Sequence, residues 1–219
     1  GVEGAAVPLD VLLGRAGVQE GATQLVGRSV DGWTAGVPTE LATDGRVAMV
    51  GVGMNGEPLP SDHGFPARLV VAGLYGYVSA TKWLSELELT TWDGFDAYWV
   101  PRGWSKEGPI KTQSRIDVPR SGGVTAGEVV VAGVAWAPDR GIGGVELQVD
   151  DGPWQACEVT EPLSDAAWVQ WRLAPELGPG DHVLRVRAVD ADGEVQTAEE
   201  APPRPDGATG HHTVRVTAA

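Results

Sequence analysis

The chain has 219 residues, 42% of them hydrophobic and 21% charged, with a formal net charge of −14 at pH 7. That length suits one large domain or two ordinary ones, and an acidic chain without a basic stripe is not a nucleic-acid binder. No apolar run approaches the roughly 20 residues of a membrane helix, no signal-peptide pattern opens the sequence, and the single cysteine, Cys157, excludes an internal disulfide and any multi-cysteine metal site.

Thirty-one glycines and nine tryptophans imply many short elements, with large rings available for sheet packing and pocket walls. Residues 8–15 (PLDVLLGR) predict the clearest helix, closed by Gly17. Short apolar runs at 47–52 and 67–72 alternate with Gly/Pro turns, which reads as mixed α+β for residues 1–112. Between those runs, Gly51-Val52-Gly53-Met54-Asn55-Gly56 has the glycine spacing of a dinucleotide loop. Such a loop must open a helix, and Pro58 and Pro60 forbid one, so the segment reads as a turn. Residues 100–110 lack periodicity and read as an extended excursion.

Beyond about residue 113 the pattern changes. Residues 128–136, 144–149, 154–159, 167–173, 182–189 and 211–217 read as strands, rich in Val and Trp and separated by Gly/Pro/Asp turns. In 182–189 the alternation puts Leu184, Val186 and Ala188 on one side and Val183, Arg185, Arg187 and Val189 on the other. Asp190-Ala191-Asp192-Gly193 begins like a calcium loop but lacks the later ligands, and reads as a turn. This spacing predicts an all-β immunoglobulin-like sandwich over residues 113–219.

The segment most suggestive of chemistry is Asp62-His63-Gly64-Phe65-Pro66-Ala67-Arg68. His63 and Arg68 flank a tight turn and can converge on one anion, the guanidinium as a planar fork and the imidazole as a further donor. The same residues are also compatible with a surface loop whose charges are incidental. Lys82, ahead of Trp83, is either a second anion contact or a solvated lysine.

Asn55-Gly56-Glu57-Pro58-Leu59-Pro60, then Asp62-His63-Gly64-Phe65-Pro66 with Arg68, Gly73, Tyr75-Gly76 and Lys82-Trp83-Leu84, resemble the core signature of the sulfite oxidase family. Val7-Pro8-Leu9-Asp10-Val11-Leu12-Leu13 and Ser29-Val30-Asp31-Gly32 upstream, and Ala135-Trp136, Val149-Asp150 and Trp154 downstream, are similar in order and spacing. The resemblance implies the C-terminal part of a molybdopterin-binding domain over 1–112, of α+β class, followed by an immunoglobulin-like sandwich that makes a homodimer. By position, His63 and Arg68 would bind the pterin phosphate, Thr81 and Lys82 would line the pterin, and Asp31 would hydrogen-bond its ring system. The parent protein would then perform a two-electron oxidation or oxo transfer on a small sulfur compound or oxyanion. The resemblance names no electron acceptor, and it implies an extracytoplasmic or membrane-tethered setting.

There are departures. The family's molybdenum-binding cysteine lies upstream of the V-P-L-D-V-L-L helix, so the chain by itself is expected to be inactive, with Cys157 a strand residue and not a ligand. Trp104 stands where the animal and plant enzymes carry a tyrosine; with Arg102 it is assigned to the substrate mouth as a catalytic candidate. No arginine accompanies Asp165-Ala166-Ala167-Trp168, where the animal enzymes' sandwich contributes one to the anion site. A competing reading is a non-catalytic fragment or binding module that associates through its sandwich.

Overall fold

The computed structural model describes residues 4–164 and 166–219; Gly1, Val2, Glu3 and the Asp165 of the arginine comparison lie outside them. The chain forms two units, Gly1–Pro109 with Arg204–Gly207, and Ile110–Pro203 with Ala208–Ala219.

In the first unit the helix Leu9–Ala16 follows Pro8 and stops at Gly17, whose φ of 78° turns the chain while its N–H bonds the Leu13 carbonyl. Leu9 and Leu13, one turn apart, are its buried stripe. Most of the remaining regular structure of the unit is sheet. Gly4–Pro8, Ala48–Met54, Arg68–Val71 and Ala80–Thr81 run in that order, with Glu57–Pro58 hairpinned onto Ala48–Met54 to make a 5-stranded sheet. Asn55 and Gly56 both have left-handed φ, the requirement of a type I′ hairpin turn. A 3-stranded sheet sets Gln24–Ser29 between Thr34–Pro38 and Leu84–Thr90. Leu25, Val37, Leu69, Val71 and Val78 join Leu9 and Leu13 in one core.

The α+β expectation for residues 1–112 is overturned. Strands make up 46% of the structure and helices 12%. Apart from Leu9–Ala16, the helical pieces of the first unit are turns of three or four residues, such as Thr39–Ala42 and Gly76–Ser79. The physical reason is length. A helix shorter than about 12 residues gains little on its own, and the apolar runs here are too short and too closely broken by Gly and Pro to sustain one. Paired as strands, the same runs satisfy their backbone across neighbours. Among the described residues, no helix is long and apolar enough to cross a membrane.

The second unit is a sandwich of two main sheets, with Gly127–Glu128 and Glu176–Leu177 paired as a small separate one. One sheet is 5-stranded, in the order Gly122–Val124, His212–Ala218, Gly180–Asp190, Ile142–Val149, Trp154–Ala156; the other is 4-stranded, in the order Glu158–Val159, Val169–Leu173, Val131–Trp136, Gln113–Val118. Leu184, Val186 and Ala188 from the first sheet share a core with Val131, Ala135, Val169 and Trp171 from the second. Cys157 packs against that core, and burial pushes its thiol up to about 12. Asp190 anchors its turn as a buried carboxylate, accepting from Arg140, Thr112 and the Glu194 backbone.

Gly133 sits where the ladder to Gln113–Val118 shifts register; a Cβ there would lie 1.8 Å from the Arg115 carbonyl oxygen. Backbone cannot yield as a side chain would, so Gly133→Ala should cost at least about 3 kcal/mol, at or beyond the upper end of ordinary overpacking. Denaturant unfolding of the whole chain checks this.

His182 gives a pH dependence. Its Nδ1 lies 2.9 Å from the Asp150 carboxylate and its Nε2 lies 2.8 Å from the Gly178 carbonyl. Both nitrogens face acceptors, which favours the protonated ring. The Asp150 hydrogen bond first, and the Gly178 carbonyl second, raise its pKa above the ordinary 6.5. A raised folded pKa stabilises fully below the unfolded value and loses that contribution as pH rises through the folded one. The stability difference between wild type and His182→Gln should therefore be largest below pH 6.5 and shrink above it. Thermal midpoints across that range measure it.

Candidate functional site

In the first unit, three loops meet at a cavity of about 280 Å³. Ser29, Asp31 and Trp33 come from the connection between the strands Gln24–Ser29 and Thr34–Pro38, and Arg68 opens the strand Arg68–Val71. Lys82 and Trp83 come from the junction between Ala80–Thr81 and Leu84–Thr90, with Gly76 and Ala80 completing the wall.

Local geometry fixes each polar group. The Asp31 carboxylate accepts the Trp33 backbone N–H at 3.0 Å. That bond, followed by the Ser29 hydroxyl, holds its carboxyl below the usual aspartate range, so it is an ionised acceptor. Arg68 Nη1 donates to the His63 carbonyl at 3.3 Å. Its Nε is buried and has no partner, an orphaned donor beside the cavity. Lys82 Nζ donates to the Asp62 carbonyl at 2.6 Å, which fixes the ammonium near the turn before Gly64. Gly64 has a φ of 105°, and a Cβ on it would lie 2.9 Å from the Lys82 Cβ. Only glycine lets the two loops close this far.

The structure therefore brings Asp31, Arg68 and Lys82 together on one cavity. His63 does not line it: the residue is exposed and reaches Arg68 through its backbone carbonyl. Thr81 is fully buried behind the wall, its hydroxyl donating to the Gly27 carbonyl. Arg102 and Trp104 lie outside the lining, in an aromatic group. The Arg102 guanidinium covers the Tyr98 ring at 3.7 Å and donates to the Tyr98 carbonyl. Trp104 packs 4.9 Å from Tyr77 and 6.0 Å from Trp99. Trp33 joins the two places, lining the cavity while its ring sits 5.0 Å from Tyr98.

Sequence reasoning missed Trp33 as a cavity residue and had Trp83 only as a neighbour of Lys82 in the family signature. Their signal was position, each close to a candidate polar residue, but in a sheet-rich chain a tryptophan is equally a core residue. Two cations, an unpaired buried guanidinium N–H, an ionised carboxylate and two indoles suit an anionic group carried on a flat heterocycle.

Residues 4–99 match the family model described as oxidoreductase molybdopterin binding domain. The mitochondrial sulfite oxidase of Homo sapiens is 31% identical over 195 residues, covering 77% of this chain and 35% of that protein. The sulfane dehydrogenase SoxCD from Paracoccus pantotrophus superposes with a TM-score of 0.74 at 26% identity, over 94% of this chain and 58% of that one. Residues 4–99 thus carry the molybdopterin-binding domain, and the chain over most of its length is similar to the sulfite oxidase family of molybdopterin oxidoreductases. An uncharacterized oxidoreductase of Bacillus subtilis is 34% identical over 96 residues, or 43% of this chain and 46% of that protein. The chain spans about a third, 35%, of the length of the human family member. Within the family's frame, the cavity's donor set is of the kind molybdopterin requires, with cations for its phosphate and an acceptor and rings for its heterocycle.

Arg68 allows function and fold to be separated. Its buried Nε has no partner to lose and its Nη1 bond to the His63 carbonyl is long and solvent-exposed, so Arg68→Met should leave the unfolding midpoint nearly unchanged or raised. Affinity for inorganic phosphate should fall about tenfold or more, the value of a charge-assisted hydrogen bond. Calorimetric titration beside thermal unfolding checks both.

Proposed function

We propose that the parent protein is a molybdenum-cofactor enzyme of sulfite oxidase type, oxidising or transferring oxygen to a small sulfur compound or oxyanion. The observation that carries this reading is the convergence of Arg68, Lys82 and Asp31 on one cavity with a guanidinium N–H left unpaired. Its relatives include a sulfite oxidase and a sulfane dehydrogenase, which supports sulfur chemistry.

When bound, molybdopterin supplies a molybdenum centre that exchanges two electrons and an oxo group with substrate. The chain's residues do the holding. Arg68 and Lys82 neutralise the phosphate, with His63 added if its exposed imidazole turns inward. Asp31 accepts ring N–H groups, and Trp33, Trp83 and Ala80 exclude water from the ring. Arg102 and Trp104 belong at the substrate mouth in this reading. Their support is the aromatic contact from Trp33 to Tyr98, over which Arg102 lies. An exported or membrane-tethered parent protein and a homodimer through the sandwich complete the proposal. For the homodimer, the support is a groove of about 440 Å³ on the 4-stranded sheet, walled by Val118, Ala132, Val134 and Val159. Light scattering of the whole chain should give twice the monomer mass, and Val134→Lys should give the monomer.

The full-length protein should carry stoichiometric molybdenum and reduce an artificial acceptor with sulfite or a sulfane donor; a well-folded, metal-free protein would overturn the reading. The 219 residues alone should not retain molybdenum through gel filtration in high salt. Their thiol, Cys157, is in the sandwich, half-buried and pushed up to about 12, so it is a poor ligand at neutral pH. Phosphate contacts open to water fall toward about 1 kcal/mol each. Cys157→Ser should change nothing in metal content.

A further inference from the structure

We propose that Trp83 is a stacking platform for the flat heterocycle of the cavity's ligand, an inference that rests on the molybdopterin reading above. Backbone strain points to it. Among the described residues, left-handed φ outside glycine occurs at Asn55, Asp139, Asp150 and Trp83, the last at 50°. Asn and Asp tolerate that region because their short side chains bond locally; a bulky aromatic does not. Strained residues persist only where their surroundings over-determine them, and they gather at ligand clamps.

The surroundings of Trp83 do over-determine it. Its N–H donates to the Gly64 carbonyl at 3.3 Å, and its carbonyl accepts from Val30 at 3.1 Å. The next residue, Leu84, donates to the Ala67 carbonyl at 2.8 Å. The indole Nε1 donates to the Ser61 carbonyl at 2.9 Å. Two separate segments, 61–67 and the turn at Val30, thus hold one residue in a conformation it would not choose.

The gain is directional. In an extended chain, consecutive side chains point to opposite faces. With the left-handed turn at Trp83, Lys82 and Trp83 both line the same cavity, the Lys82 ammonium 5.8 Å from the indole centroid. A cation and a ring are delivered side by side, the arrangement that suits a planar heterocycle with an anionic substituent. Because the indole N–H is already committed to Ser61, Trp83 has its ring face to offer and not a hydrogen bond.

The test titrates a pterin monophosphate and, in parallel, inorganic phosphate into the whole chain, following pterin emission and the heat of binding. Wild type should bind both, prefer the pterin compound, and quench its emission. Trp83→Gly accepts a φ of 50° without strain; it should lose about tenfold more affinity for the pterin monophosphate than for inorganic phosphate, the value of one stacked ring. Trp83→Phe should keep the affinity within about threefold, since a ring face remains, while losing most of the quenching. Undiminished pterin affinity and quenching in Trp83→Gly would overturn the proposal. So would quenching that disappears in Trp33→Phe and persists in Trp83→Phe. If Trp83→Gly does not fold, the emission of Trp83→Phe decides alone. Phosphate binding by wild type with no preference for the pterin compound would remove the platform and leave the anion site standing. Binding of neither probe would remove both.

Discussion

The close approach of Gly64 to Lys82 is the contact on which the site depends. A single Cβ at Gly64 would stand 2.9 Å from the Lys82 Cβ and 3.0 Å from its Cα. With that carbon absent, the turn after Ser61–His63 lies directly on the junction that carries Lys82 and Trp83. The Trp83 N–H then reaches the Gly64 carbonyl, its indole reaches Ser61, and the Lys82 ammonium reaches Asp62. The cavity wall is the product of that closure. Were the loops an ångström further apart, these bonds would lengthen together, and the guanidinium of Arg68 would face water instead of a walled space.

Electrostatics follow the same geometry. The chain carries −14 overall, yet the cavity gathers Arg68 and Lys82 with a single carboxylate, Asp31, whose place is fixed by the Trp33 backbone. A diffuse negative surface is screened over about 8–10 Å of ordinary salt, whereas fixed cations at a walled site act at contact distance. Net charge therefore argues about solubility and partners and leaves the anion site untouched. The aromatic rings serve the same end in unit one: Lys106, held by the carbonyls of Trp92 and Phe95 and by Asp96, and Arg28, over the Phe95 ring, fasten the loop of residues 92–96.

In the sandwich the governing constraint is packing. Leu184, Val186 and Ala188 are wholly buried against the opposite sheet, and Gly133 lets the Gln113–Val118 strand pass with its Arg115 carbonyl where a methyl would otherwise be. Asp190, the first residue of a turn that resembled a calcium loop, spends its carboxylate on Arg140, Thr112 and a backbone N–H. Its oxygens satisfy the turn, so the charge is structural.

The features legible in the residue order alone are local. The Leu9–Ala16 helix, its glycine stop, the buried side of the strand Gly180–Asp190 and the turn at Asn55-Gly56 all follow from periodicity and backbone preference, which act over a few neighbouring residues. The family signature from Asn55 to Leu84 was legible for the same reason, being a run of fixed residue types at fixed spacing. Two matters were decided only by tertiary structure. The sheet character of the first unit came from strand partners far apart in sequence, such as Gln24–Ser29 with Leu84–Thr90, which no local window contains. The membership of the cavity was decided the same way. His63 and Arg68 looked equivalent around their turn, yet only Arg68 lines the wall, and Trp33 and Trp83 enter it from separate loops. A side chain's direction there is set by what the loops close against, and that contact exists only once the chain has folded.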